Sequence, residues 1–133
     1  MALFIHGNRS INYQIQFAPF SHDLLLLQGS RLGLEFWTPV LENLKGHPSE
    51  QGRIVACEWH QKGLSEAEMA TDLTNLMKTL GLQDVHVVAC EDAVGLVKQI
   101  EKQDAKRFSG TLLYPSTPRS EDLSRSVQEF SDL

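Results

Sequence analysis

From Ser10 to Phe17 apolar and polar residues alternate, with Ile11, Tyr13, Ile15 and Phe17 on one side and Asn12, Gln14 and Gln16 on the other. A period of two marks a half-buried strand. Leu3-Phe4-Ile5 precedes it across His6-Gly7-Asn8-Arg9, so the stretch predicts a β-hairpin. After Pro19 the pattern changes: Leu24 to Leu27 is a continuous apolar run leading to Gln28-Gly29-Ser30, which suits a strand buried on both faces of a parallel sheet. Between Gly33 and Leu44 the apolar residues Leu34, Trp37, Val40, Leu41 and Leu44 recur at helical spacing, and Gly46 follows as a stop signal. Arg53 to Glu58 reads as a second buried strand, leaving through Trp59-His60-Gln61-Lys62-Gly63-Leu64-Ser65. Ser65 and Glu68 have the spacing of a capping box, and Met69, Leu73, Leu76, Met77 and Leu80 form the apolar stripe of a helix that stops at Gly81. Val85 to Cys90 is again strand-like, and a helical pattern begins at Ala93 and runs through Ile100 to about Lys102. Phe108 to Tyr114 supplies a last strand, ended by Pro115 and Pro118, and Glu121 to Phe130 a short amphipathic helix through Leu123, Val127 and Phe130. Strands alternating with helices predict a single α/β domain over residues 1–133, with a mostly parallel sheet between helical layers.

Composition narrows the function classes. The chain has 133 residues, 41% of them hydrophobic and 22% charged, with a net charge of −5. These values exclude a disordered chain and give no support to nucleic-acid binding. The Leu24–Leu27 run is far too short to span a bilayer, which takes roughly 20 apolar residues, and the N-terminus lacks the pattern of a signal peptide. A cytoplasmic location without membrane contact is expected. Cys57 and Cys90 are without metal-ligand spacing and read as reduced structural thiols.

Strand-like Val85-His86-Val87-Val88-Ala89-Cys90 meets helix-like Ala93-Val94-Gly95-Leu96-Val97 through the polar tip Glu91-Asp92. Ala89 and Ala93 are small where a strand turning sharply into a helix brings the two backbones together. With the strand ending in Gln28-Gly29-Ser30, the Arg53–Ser65 stretch, and the run from Asp72-Leu73 through Leu80-Gly81-Leu82-Gln83-Asp84-Val85-His86-Val87-Val88, the chain resembles the N-terminal half of the α/β-hydrolase superfamily over residues 3 to 116. The matching family segments are a strand ending in His-Gly, the stretch Arg-Val-Ile-Ala-Pro-Asp-Leu-Arg-Gly-His-Gly-x-Ser, and a Leu-Gly-Leu-x-x-Val-x-Leu-Val run into the nucleophile elbow Gly-x-Ser-x-Gly. The resemblance implies a three-layer αβα sandwich on a six-stranded sheet of order 1-2-4-3-5-6. It further implies that Glu91 stands at the nucleophile position and that the backbone N–H groups of Ser30 and Asp92 are the oxyanion donors.

The departures govern the functional expectation. Glu91 replaces the serine, no histidine follows His86, and the family's acid and histidine come after later strands. A carboxylate nucleophile without a base would leave a persistent ester, and the Asp92 charge opposes a developing oxyanion. The chain is therefore expected to be a truncated, degenerate and non-catalytic module. It would act through a partner protein or through a small ligand held by Gln28, Gly29, Ser30, Trp59, His60 and Glu91, where open α/β sheets place ligands. The alternative is a half-enzyme for ester, epoxide or halide bonds, completed by another chain that supplies the histidine and acid.

The remaining polar residues have two readings each. His60 with Glu91 is an acid/base pair or weak metal site, or a plain polar rim; three-ligand spacing is absent, so no metal and no cofactor are expected. His6, His22, His47 and His86 read as turn or surface residues, Trp37 as packing, and Trp59 as packing or as a roof over the cleft. In the implied order the strands of Cys57 and Cys90 lie two spacings apart, about 10 Å, which leaves two free thiols. The uncharged edge strand Thr111-Leu112-Leu113-Tyr114 invites pairing with a second copy. A homodimer on residues 108 to 130 is expected, with the C-terminal segment across its seam. The competing arrangement folds that helix back over its own edge.

Overall fold

The computed structural model describes residues 2–44, 52–116 and 118–131, apart from the side chains of Ser120 and Ser131; Gly46 and His47 lie outside them. Six strands form one sheet: β1 (Ala2–His6), β2 (Arg9–Phe17), β3 (Leu24–Leu27), β4 (Arg53–Cys57), β5 (Val85–Cys90) and β6 (Phe108–Tyr114), in the order β1-β2-β4-β3-β5-β6. The hairpin and the β2–β4 pair are antiparallel, and β4, β3, β5 and β6 are mutually parallel. Parallel neighbours need crossovers, and the helices α1 (Thr38–Asn43), α2 (Glu66–Leu80) and α3 (Ala93–Asp104) supply them; α4 (Ser120–Ser131) follows β6. The order implied by the resemblance is the one observed.

Successive residues of a strand point to opposite faces, so the continuous apolar runs feed two cores at once. Leu25, Leu27, Val55, Cys57, Val87 and Ala89 meet Leu73, Met77, Leu96 and Ile100 of α2 and α3. Leu24, Leu26, Ile54, Ala56, Val88 and Cys90 meet Trp37, Val40, Leu44, Leu123 and Val127 on the other face. β2 has helices on only part of its length, and its outer end leaves Ile15 and Phe17 exposed.

The capping box of α2 forms as expected: the Ser65 hydroxyl accepts from Glu68 N–H at 3.1 Å and Glu68 returns the bond to Ser65 N–H at 3.0 Å. Gly81 ends the helix at φ 69°, in the left-handed region that favours glycine. The Gly33–Leu44 helix is different. It divides into a 3-10 turn at Leu34–Trp37 and a short α1, because Pro39 in the first turn of α1 has no N–H to bond back and its ring would clash in a helix interior.

α4 lies on its own sheet beside α1, with Leu123 and Val127 fully buried, so the apolar face offered to a dimer seam is already covered within the chain. Elsewhere, His22 lies in the bend before β3, as the turn reading expects, but is half-buried, and His86 is a half-buried residue of β5 rather than a turn or surface residue. Their rings stack at 3.7 Å in a column that runs from Phe20 through both imidazoles to Phe130. Gly110 makes room for it, since a Cβ there would come within 3.3 Å of the Phe130 ring.

Candidate functional site

The carboxyl ends of β3, β4 and β5 converge on one rim, and the turn from β5 into α3 stands at its centre. Glu91 occupies that turn with φ 54°, a left-handed conformation that costs an ordinary side chain roughly 1–3 kcal/mol. Its N–H donates to Tyr114 C=O at 2.7 Å, and its own carbonyl accepts from Val94 N–H at 3.2 Å, so bonds to β6 and α3 hold the strained backbone. Ala89 and Ala93 are fully buried beneath it. The Glu91 side chain crosses to the β3 loop, where its carboxylate lies 3.0 Å from the Arg31 guanidinium. It also explains the glycine at 29: a Cβ there would stand 2.5 Å from Glu91 Oε2.

Asp92 turns the same way. One carboxylate oxygen accepts the Ser30 N–H at 2.8 Å and the other accepts the Ser30 hydroxyl. Burial pushes this carboxyl up, but the Ser30 hydroxyl and N–H, its own backbone N–H and nearby His60 together hold it below its ordinary value. Of the two N–H groups that the resemblance assigns to an oxyanion, that of Ser30 is turned to the Asp92 carboxylate.

The other rim residues divide. Gln28 is buried, and its amide is engaged at both ends, donating to Cys57 C=O at 3.0 Å and accepting from the Trp37 indole at 2.9 Å. These bonds tie Gln28 to β4 and to the helical layer beneath the rim. Trp59 is also buried and donates its indole N–H to Gln28 C=O at 2.8 Å, as the packing reading expects. His60 is exposed and edge-on to Trp59, while the Glu91 carboxylate faces Arg31. Among the described residues no three His, Cys, Asp or Glu side chains gather as a metal-ligand set. Cys57 and Cys90 are free and buried; burial, helped by Glu58 and Glu91 respectively, pushes their thiols up to about 12 and about 11, so neither is a thiolate nucleophile at neutral pH.

Beside Ser30 a cleft of about 270 Å³ opens, lined by Gln28, Ser30, Arg31, Leu32, Gly33, Glu58, Trp59 and His60. A larger groove of about 460 Å³ lies at the antiparallel side, between the end of β1, residues 13–16 of β2, Leu41 and Ile54. Among the described residues Tyr13 is the one titratable side chain lining that groove, whereas the smaller cleft is lined by Arg31, Glu58 and His60. The Arg31 partnership was missed from sequence. Its signal is an arginine one residue after the presumed oxyanion donor, facing two consecutive acids at the elbow.

No protein-family profile and no curated protein matches the chain. Solved structures do. AqDC, in complex with its product from ring-cleavage of the Pseudomonas quinolone signal, is similar at a TM-score of 0.70 and 17% identity, over 90% of this chain and 48% of that one. MGS-M2, an α/β hydrolase enzyme from a Medee basin deep-sea metagenome library, gives 0.70 and 15% over 84% and 43%. The bromoperoxidase of Bacillus anthracis gives 0.63 and 18% over 78% and 39%. At such identities the likeness is one of fold: this chain has an α/β-hydrolase fold, and it spans less than half the length of these three structures.

Proposed function

We propose that the chain is a non-catalytic module on an α/β-hydrolase fold, acting through a small ligand at the Ser30–His60 cleft or through a protein partner. The observation that carries this reading is the Asp92 carboxylate on Ser30, which sets a negative charge on a donor that acyl transfer would need for its intermediate. Glu91 adds a second acid, already paired with Arg31. The same reading includes a homodimer through Thr111–Tyr114 of β6, an edge strand that among the described strands pairs only with β5 and leaves Leu113 39% exposed. It also includes a cytoplasmic location with both thiols reduced; among the described residues no helix is long and apolar enough to cross a membrane.

The test is direct. Purified protein is assayed on a p-nitrophenyl ester, a haloalkane and a styrene oxide, with Glu91→Ala in parallel. No hydrolysis above background is expected from either; a reproducible rate lost in Glu91→Ala overturns the reading. One observation favours the half-enzyme instead: the strained φ of 54° at Glu91 preserves the elbow that presents a nucleophile. On that reading the rate emerges only on mixing with a chain that contributes a histidine and an acid.

A further inference from the structure

The Asp92 carboxylate sits on donors that would greet another molecule's carboxylate in the same geometry. The Ser30 N–H and hydroxyl grip its two oxygens separately, a two-point hold that favours a planar anion. The Arg31 guanidinium stands beside them on Glu91. Asp92 is itself exposed, so it swings into water without disturbing the core, and the cleft opens next to the donors it would release.

We propose that Asp92 is a built-in plug in a carboxylate-binding site, and that a small organic monocarboxylate takes its place on Ser30 with its apolar part in the cleft beside Leu32 and Trp59. The inference rests on the reading of this cleft as a ligand site and says what the ligand is. Charge limits the choice. Exchange of one carboxylate for another leaves the donors as they were, but the rim still holds Glu58, Glu91 and the released Asp92 against Arg31. Each further negative charge adds to the repulsion, so a monoanion is favoured over a dianion. A competitor tethered at the site acts at an effective concentration on the order of millimolar or more, so affinity is weak in the native chain and rises when the plug is removed.

Sodium propionate, propionamide and propylamine hydrochloride form a matched set of probes. Each is titrated into the native protein and Asp92→Ala, with the Ser30 amide followed by ¹H–¹⁵N NMR. Asp92→Ala is expected to bind propionate at least tenfold more tightly than the native chain does, with the Ser30 signal shifting, and to show no gain for the other two. An unchanged propionate affinity, an equal gain for all three probes, or a still Ser30 amide overturns the plug. Should Asp92→Ala fail to fold, Asp92→Asn keeps the shape with a neutral, weaker competitor, and the same order of probes is expected with a smaller gain. Binding of propionamide or propylamine without any gain for propionate overturns the plug alone and leaves the ligand-site reading standing. Binding of none of the three by either protein overturns the plug and removes the support for the ligand site as well.

Discussion

Glu91 is the residue at which local and global demands disagree. Its left-handed backbone is imposed by the strand-to-helix turn, and a glycine would adopt it without strain. Replacing it by alanine keeps the strain; replacing it by glycine relieves it. Glu91→Gly is therefore expected to be more stable than Glu91→Ala by about 1 kcal/mol, the reverse of the usual order, measured by urea unfolding. The exposed Arg31 partner changes the comparison little, because both variants lose it equally. Asp92 makes a pH statement at the same scale. Its folded-state value lies below the ordinary one, so its contribution to stability is complete above the ordinary carboxylate range, near pH 4, and is lost as pH falls through the lowered value. Unfolding midpoints at pH 6 and pH 3 should converge for native protein and Ser30→Ala at the acidic end and separate at the neutral end. A gap of the same size at both pH values contradicts that origin.

At the scale of elements, caps and apolar stripes decide. The α2 capping box is written in Ser65 and Glu68, and Ser65→Ala is expected to cost about 1 kcal/mol at neutral pH. Glu68 is held below its ordinary value first by the Ser65 backbone N–H and then by its hydroxyl, so that part of the cap fades in acid by the same sign as Asp92. For α4 the packing is explicit. Leu123 is fully buried among residues of the α1 face, so Leu123→Ala should leave a cavity and cost roughly 2–4 kcal/mol. Because that burial is within one chain, the loss should not vary with protein concentration in equilibrium unfolding. A loss that shrinks on dilution would place the contact between copies.

For the whole molecule, assembly turns on β6. Its alternating exposure places Thr111 and Leu113 outward while Leu112 and Tyr114 pack inward. Pairing of two copies along this strand makes an isologous contact, in which each β6 bonds the other antiparallel. Sedimentation at low micromolar concentration should give a dimer mass for the native chain and a monomer for Leu113→Lys. A monomer mass for both rules the homodimer out. With α4 occupied on its own sheet, the contact rests on the strand edge alone.

Much of this architecture is determined by local sequence. Period-two alternation marked β2, continuous Leu24–Leu27 marked a doubly covered strand, and Ser65, Glu68 and Gly81 bounded α2, because backbone periodicity and capping act within a few residues. The small Ala89 and Ala93 around Glu91 likewise betrayed the sharp turn. Only tertiary structure decided what the acids do. Ser30 and Asp92 are 62 positions apart, and Arg31 and Glu91 are 60 apart; their pairing depends on β3 and β5 being neighbours in the sheet. The engagement of Gln28 by Trp37 and Cys57, and the stacking of His22 on His86, arise in the same way. Periodicity records which face a residue buries, but a hydrogen bond across strands depends on register, and register is set by the packing of the whole sheet.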